Sequence, residues 1–220
     1  MTGFGKLQVH VVISALLCVA GMASLGGDSG EPLVELRWAL GKLAAQSAAP
    51  SAIDKDVQLE PGTKLKFLVE PLSPSSVYLI LLDSSEQIHL LYHESAKAQQ
   101  ASDGASPTYV PPGSQWFELD DNAGRETFFL LASAEPLVAL DALLERHASA
   151  DPAARQGVVE EIVQEIRRLH KEHRRFSRPV EKPVMIGGQT RSGGPPASIE
   201  QLAVEISAER FYGKSITIDH

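Results

Sequence analysis

Five stretches of the chain carry residue types that could do chemistry. Gly27-Asp28-Ser29-Gly30 has the composition of a serine-protease nucleophile loop. A serine nucleophile needs an imidazole in hydrogen-bond reach as its general base. No upstream His is available in the usual order, because the motif opens the exported chain in a spacer-like segment, so the match is one of composition. No Gly-x-Ser-x-Gly elbow occurs in the chain. Gly188-Gln189-Thr190-Arg191-Ser192-Gly193-Gly194 has the look of a phosphate loop but lacks the Lys-Ser/Thr pair, and Pro195-Pro196 blocks the helix whose N-terminus would hold the anion. His89 and His93 are expected on one face of a strand, about 13 Å apart, too far to share one ion. His170 and His173 stand one helical turn apart, the spacing of two metal ligands. Lys171, Arg174 and Arg175 around them repel a cation and no third ligand is identifiable. Asp120, Asp121 and Asn122 lack the spacing of a calcium loop and suit a turn. Trp38 and Trp116 are most simply packing residues. No catalytic residue, metal site or cofactor site follows from these stretches.

The charge balance narrows the classes further. Twenty Lys and Arg stand against 28 Asp and Glu, a formal net charge of −8, with 43% apolar residues. That balance excludes the broad basic face that phosphate neutralisation requires, so a nucleic-acid partner is not expected. The one Cys is Cys18, which leaves no internal disulfide and no thiolate cluster. Cys18 lies in an apolar run, Val11 to Ala20, preceded by Lys6 and followed by the small residues Gly21 and Ala23. The arrangement reads as a secretory signal cleaved after Ala23. As an uncleaved anchor, the helix from Val11 to Ala23 would reach about 20 Å, short of a hydrocarbon core of about 30 Å. A lipidated Cys18 is disfavoured because Leu17 before it is not small. The expected address is the periplasm or the exterior, with membrane anchoring if the signal is kept.

The elements that would position any site follow from periodicity. Leu33, Leu36, Leu40 and Leu43 recur at spacings of three, four and three, which predicts a helix from Pro32 to about Gln46 with one leucine stripe. A linker, Ser47 to Ala52, separates it from a strand-rich body. Leu65, Phe67 and Val69 alternate with Lys64, Lys66 and Glu70 after the Pro61-Gly62 turn, a strand with one wet face. Val77–Leu82 and Phe128–Ala132 are apolar throughout, so both faces are covered. Gln87–His93 pairs with Val77–Leu82 through Asp83-Ser84-Ser85-Glu86, and a second hairpin joins Gln115–Leu119 to Glu126–Ala132. Two helices supply the cover. The first begins at Pro136 with Leu137, Leu140 and Leu144 on one side; the second has Asp151-Pro152 as its start and Val158, Val159, Ile162, Val163, Ile166 and Leu169 as its stripe. Its basic end is read as dipole complementarity with Glu165–Arg168 and Arg168–Glu172 pairs. A Pro/Gly-rich excursion, 177–198, precedes a last hairpin in which Val204, Ile206, Ile216 and Ile218 return to the sheet.

Within Leu59 to about Leu144, the order and spacing of several short motifs are informative. They are Pro61-Gly62 before Leu65-Lys66-Phe67, Val77-Tyr78-Leu79-Ile80-Leu81-Leu82-Asp83, Ile88-His89-Leu90-Leu91-Tyr92, Pro112-Gly113 before Trp116-Phe117-Glu118-Leu119, and Gly124-Arg125-Glu126 before Phe128-Phe129-Leu130-Leu131-Ala132-Ser133. In these features the region resembles the DUF4384 family of bacterial domains. The resemblance implies a β-sandwich-like module with no established activity and no catalytic residues to carry over.

The expectation is therefore an α+β protein with an antiparallel β-sandwich-like body and packed helices. Its segments are a signal peptide (1–23), an N-terminal helix with linkers (24–54), the β-rich domain (55–147), an amphipathic helix (148–176), the Pro/Gly-rich segment (177–198) and a C-terminal hairpin (199–220). The expected function is a non-catalytic periplasmic protein-interaction or ligand-binding module without a cofactor. It would have an envelope protein as partner, no membrane span after signal cleavage, and Leu33, Leu36, Leu40 and Leu43 as the interaction face. The alternative is an envelope hydrolase or small-ligand-binding protein whose site is scattered in sequence.

Overall fold

The computed structural model describes residues 33–44, 47, 49–101, 106–121, 123–174, 179–183 and 198–220. The signal segment with Cys18, the Gly27–Gly30 motif and the Gly188–Gly194 loop lie outside the described residues. In chain order the elements are β1 (Leu33–Leu43), β2 (Ser51–Ala52), β3 (Val57–Gln58), β4 (Lys64–Pro71), β5 (Ser76–Leu82), β6 (Ile88–Glu94) and α1 (Ala96–Gln100). Then come β7 (Thr108–Val110), β8 (Phe117–Glu118), β9 (Arg125–Ser133), α2 (Val138–Ser149), α3 (Pro152–His173), β10 (Val180–Pro183), a 3-10 turn at Ile199–Leu202, β11 (Val204–Glu209) and β12 (Phe211–Asp219).

The described strands form two sheets. One runs β10-β11-β1-β4-β7, with β2 added to β1 and β8 to β4; the other runs β3-β12-β9-β5-β6. All pairings are antiparallel except β3 on β12. Their inner faces share one core, in which Leu36, Leu40, Phe67 and Val69 of the first sheet meet Val77, Leu79, Phe128 and Leu130 of the second. The outer face of the second sheet is covered by α2 and α3, whose Leu140, Ile162 and Ile166 pack on Tyr78, Ile80 and Leu131. The protein is thus α+β, with a sandwich-like body and packed helices. The apolar runs of β5 and β9 are buried on both faces, because one side feeds the inter-sheet core and the other the helix layer.

Five expectations are corrected. Leu33–Leu43 is a strand, not a helix. Val34, Leu36, Trp38 and Leu40 alternate with Glu35, Arg37 and Ala39, and all four are buried in the inter-sheet core. β4 and β11 flank β1 and saturate its backbone, which a helix in that place could not offer them. Part of the expected linker, Ser51–Ala52, pairs back onto Gly41 and Lys42. Phe117–Glu118 pairs with β4 while β9 belongs to the other sheet, so β8 and β9 form no hairpin and the chain changes sheets between them. The C-terminal strands likewise form no hairpin: β11 pairs with β1 and β12 with β9. Arg210, at φ 61, turns the chain from one sheet to the other. Within the expected excursion, Val180–Pro183 forms the outer strand beside β11.

The wet face expected for β4 is also partly covered. Lys66 is only 6% exposed. Its Nζ donates to the carbonyls of Gly113 and Gln115, the latter at 3.0 Å, between the rings of Tyr109 and Trp116. Buried ammonium is tolerable here because two acceptors and two π faces replace water. Farther along that outer face, Lys182, Glu205, Arg37 and Glu70 stand opposite one another on β10, β11, β1 and β4, a ladder of alternating sign with Arg37 2.6 Å from Glu70.

Candidate functional site

The C-terminal half of α3 meets the sandwich where the chain changes sheets. α3 starts as its sequence requires: the Asp151 carboxylate accepts from the N–H groups of Ala153 and Ala154, and Pro152 occupies the first turn. Its buried stripe, Val158, Val159, Ile162, Ile166 and Leu169, holds it on the five-stranded sheet. This aims the last turn at the β11–β12 corner. There the ring of His173 stacks on Phe211 at 4.5 Å, and His170 meets the same ring edge-on at 6.2 Å.

Two adjoining clefts open beside this contact. The larger, about 500 Å³, is lined by Ser133, Glu135, Arg168, Glu172, Glu209 and Arg210, by the buried Leu137 and Leu169, and by the exposed Pro136. The smaller, about 360 Å³, lies between His170, Arg174, Pro179, Phe211, Tyr212 and Gly213. His173 lines both and divides them.

The larger cleft carries both signs of charge in fixed positions. Arg210 donates to Glu135 at 2.9 Å, and the N–H of Ala134 donates to the Arg210 carbonyl, which ties the corner to the chain ahead of α2. Arg168 grips Glu165 through two nitrogens, at 2.7 and 2.8 Å, and also donates to Glu172. Hydrogen bonds from Arg168 lower the Glu165 pKa, and those to Glu165 raise that of the guanidinium. Burial lowers the pKa of His170; it also lowers that of His173, aided by Arg210 and Arg168 and opposed by Glu172 and Glu135. A buried Ser133 lies in the wall, its hydroxyl accepting from the Glu135 N–H. What this arrangement can do is hold an apolar group on the two leucines while the charges around them pair with charges on either side.

The other residues singled out in the sequence fall apart in space. Leu36 and Leu40 are core residues at 0% and 1% exposure, whereas Leu33, 43% exposed, and Leu43 lie on the opposite face of β1, so the four leucines share no surface. His89 stands opposite Leu81 and His93 opposite Tyr78, and a register shift between them leaves Leu91 unmatched. The bulge turns the two imidazoles to opposite faces of the strand. His89 lies 2.7 Å from Asp83, and His93 stacks on Tyr78 at 4.4 Å. Trp38 is core, under the Lys214 ammonium; Trp116 flanks Lys66. Among the described residues no group of three or more His, Cys, Asp or Glu side chains could hold a metal ion, and no helix is long and apolar enough to cross a membrane.

Sequence reasoning missed Glu135, Glu209 and Arg210 altogether. The only signal for the corner was a charged pair interrupting the apolar alternation between Ala208 and Phe211. Compared with known proteins, the chain matches no family model, no curated protein and no solved structure.

Proposed function

We propose that this chain is an exported, non-catalytic binding module, related to the DUF4384 family, that takes a short peptide segment of an envelope protein into the cleft beside His173. The observation that carries the reading is the cleft itself, with the buried Leu137 and Leu169 in its lining and paired charges of both signs around them. A peptide offers that combination, an apolar side chain flanked by charges. The rim guanidiniums already grip carboxylates, so they are poised for exchange with a partner's charges and not for polarising a substrate.

The outermost strands support the same choice over strand addition, because each is short or bulged. β10 is four residues long, with Lys182 and Pro183 in it. β7 has three residues and runs into Pro111, β3 has two, and β6 is bulged at Leu91.

The test is selection of peptides from a random displayed library on the immobilised protein. Binders should lose at least about tenfold in affinity with Leu137→Glu or Arg168→Glu, and keep it with Arg37→Ala on the far sheet. Peptides indifferent to the cleft substitutions would remove the reading.

A further inference from the structure

The ring of His170 occupies the space that a side chain at position 213 would need. The imidazole Nε2 lies so near the Gly213 Cα that a β-carbon there would collide with it. That nitrogen is buried and has no hydrogen-bond partner among the described residues. The arrangement is tolerable only for the neutral ring, with the Nε2 lone pair turned toward the glycine methylene. A proton on Nε2 would bury a charged N–H with no acceptor, which costs far more than an unmet neutral donor.

The described surroundings supply no compensation. Among the described residues the cations lining the two clefts are Arg168 and Arg174 on α3 itself and Arg210 at the corner, with Lys171 next to His170 in the sequence of α3. The carboxylates are Glu172 on α3, Glu135 ahead of α2 and Glu209 on β11, and they face the larger cleft. Tyr212 on β12 remains an uncharged phenol, since burial first and then Glu181 push its pKa up. For His170 burial alone sets the direction of the shift, whereas Glu172 and Glu135 both act on His173.

Leu169 is the last buried aliphatic residue of α3. Beyond it, packing onto β12 runs through the two imidazoles against Phe211 and Gly213. We infer that the last turn of α3 is a pH-controlled wall of the binding cleft, docked on β12 while His170 is neutral and released when Nε2 takes a proton, which joins the two clefts into one. The sign follows from linkage. The docked form binds fewer protons, so docking is at full strength above the ordinary His pKa of about 6.5 and weakens as the pH falls below it.

The binding consequence rests on the reading proposed above, but the device itself is tested without any peptide. Amide hydrogen exchange of the purified protein is followed at about pH 7.5 and about pH 5, corrected for the intrinsic pH dependence. Residues 169–174 should lose at least about tenfold in protection at the lower pH while the first turns of α3 and β9 keep theirs. His170→Leu should abolish the change; if that variant does not fold, His170→Gln replaces it, with the His170 ring titrated by NMR in the unaltered protein. Titration at the ordinary His value with unchanged exchange would overturn the proposal. So would loss of protection in every element at once, or persistence of the change in the variant. Failure here leaves the peptide reading standing, and failure of the peptide selection leaves the switch standing.

Discussion

The imidazole of His170 rests on the Cα of Gly213, in the middle of a strand where glycine is otherwise a poor choice. Alanine at 213 would drive its methyl group into that ring and to within 2.9 Å of the Phe211 ring. Gly213→Ala should therefore cost about 1–3 kcal/mol, the usual penalty of overpacking, even though alanine is the better-ordered residue in the unfolded-state comparison. Thermal melting checks this, and His170→Ala in the same chain should recover part of the loss. A parent-like melt for Gly213→Ala alone would mean that α3 does not sit on β12 in this way.

Leu36 and Leu33, three residues apart, should respond to the same substitution in opposite ways. Leu36 is fully buried between the sheets, so Leu36→Glu places a carboxylate where it has no partner and should prevent folding. Leu33→Glu should change stability by no more than about 0.5 kcal/mol, as expected for an exposed position. Circular dichroism melts of the pair decide between strand and helix in this segment, since a leucine-striped helix would make the two substitutions comparable.

Tyr78 ties the second sheet to the start of α2. Its hydroxyl donates to the Asp141 carboxylate at 2.6 Å, and α2 has no side-chain cap at Leu137. Burial, then the bond to Asp141, pushes the phenol pKa up, so the group stays a donor well into the alkaline range. Tyr78→Phe should lower stability by about 1–3 kcal/mol, because Asp141 loses a charge-assisted partner in a half-buried place. Chemical denaturation reads this, with Asp141→Asn as the milder comparison.

Removal of 199–220 should abolish cooperative unfolding. The segment contributes β11 to one sheet and β12 to the other, so both β1 and β9 would be left with an unpaired side and the core without Ile206, Ile216 and Ile218. A truncated chain that melts as sharply as the parent would show that these strands are an appendage.

Export is checked by mass. Protein recovered from a cell-envelope fraction should have lost residues 1–23, with cleavage after Ala23. A full-length mass retained with the membrane would replace the cleaved, exported reading with an anchored one.

Several parts of the fold could be read from local sequence because local physics decides them. Asp151-Pro152 and the Val158-to-Leu169 stripe define α3 almost to the residue, since a cap and a 3.6-residue period need no information from elsewhere. The β5–β6 hairpin follows from two strand patterns and the Asp83–Glu86 turn, where the Asp83 carboxylate accepts from the N–H groups of Ser85 and Gln87. The two-sided apolar runs of β5 and β9 required a covering layer, which α2 and α3 supply.

Apart from the β5–β6 hairpin, which backbone lies alongside which was decided by tertiary structure. Leu33–Leu43 satisfies a helical spacing in its leucines and a strand alternation in Val34, Leu36, Trp38 and Leu40; β4 and β11 on its two sides choose the second by offering a full ladder of hydrogen bonds. Alternation says that a strand has a core face, not which sheet it joins, so the expected hairpin before β9 and the expected C-terminal hairpin, with its turn read at Tyr212-Gly213, became crossings between sheets, the second at Arg210. The one-residue bulge at Leu91 reverses His93 relative to His89, as any slip of period two must. The cleft has the same origin. Glu135, Arg168 and Arg210 are ordinary surface charges in the sequence, and they become one rim only because α3 is docked where the chain passes from β11 to β12.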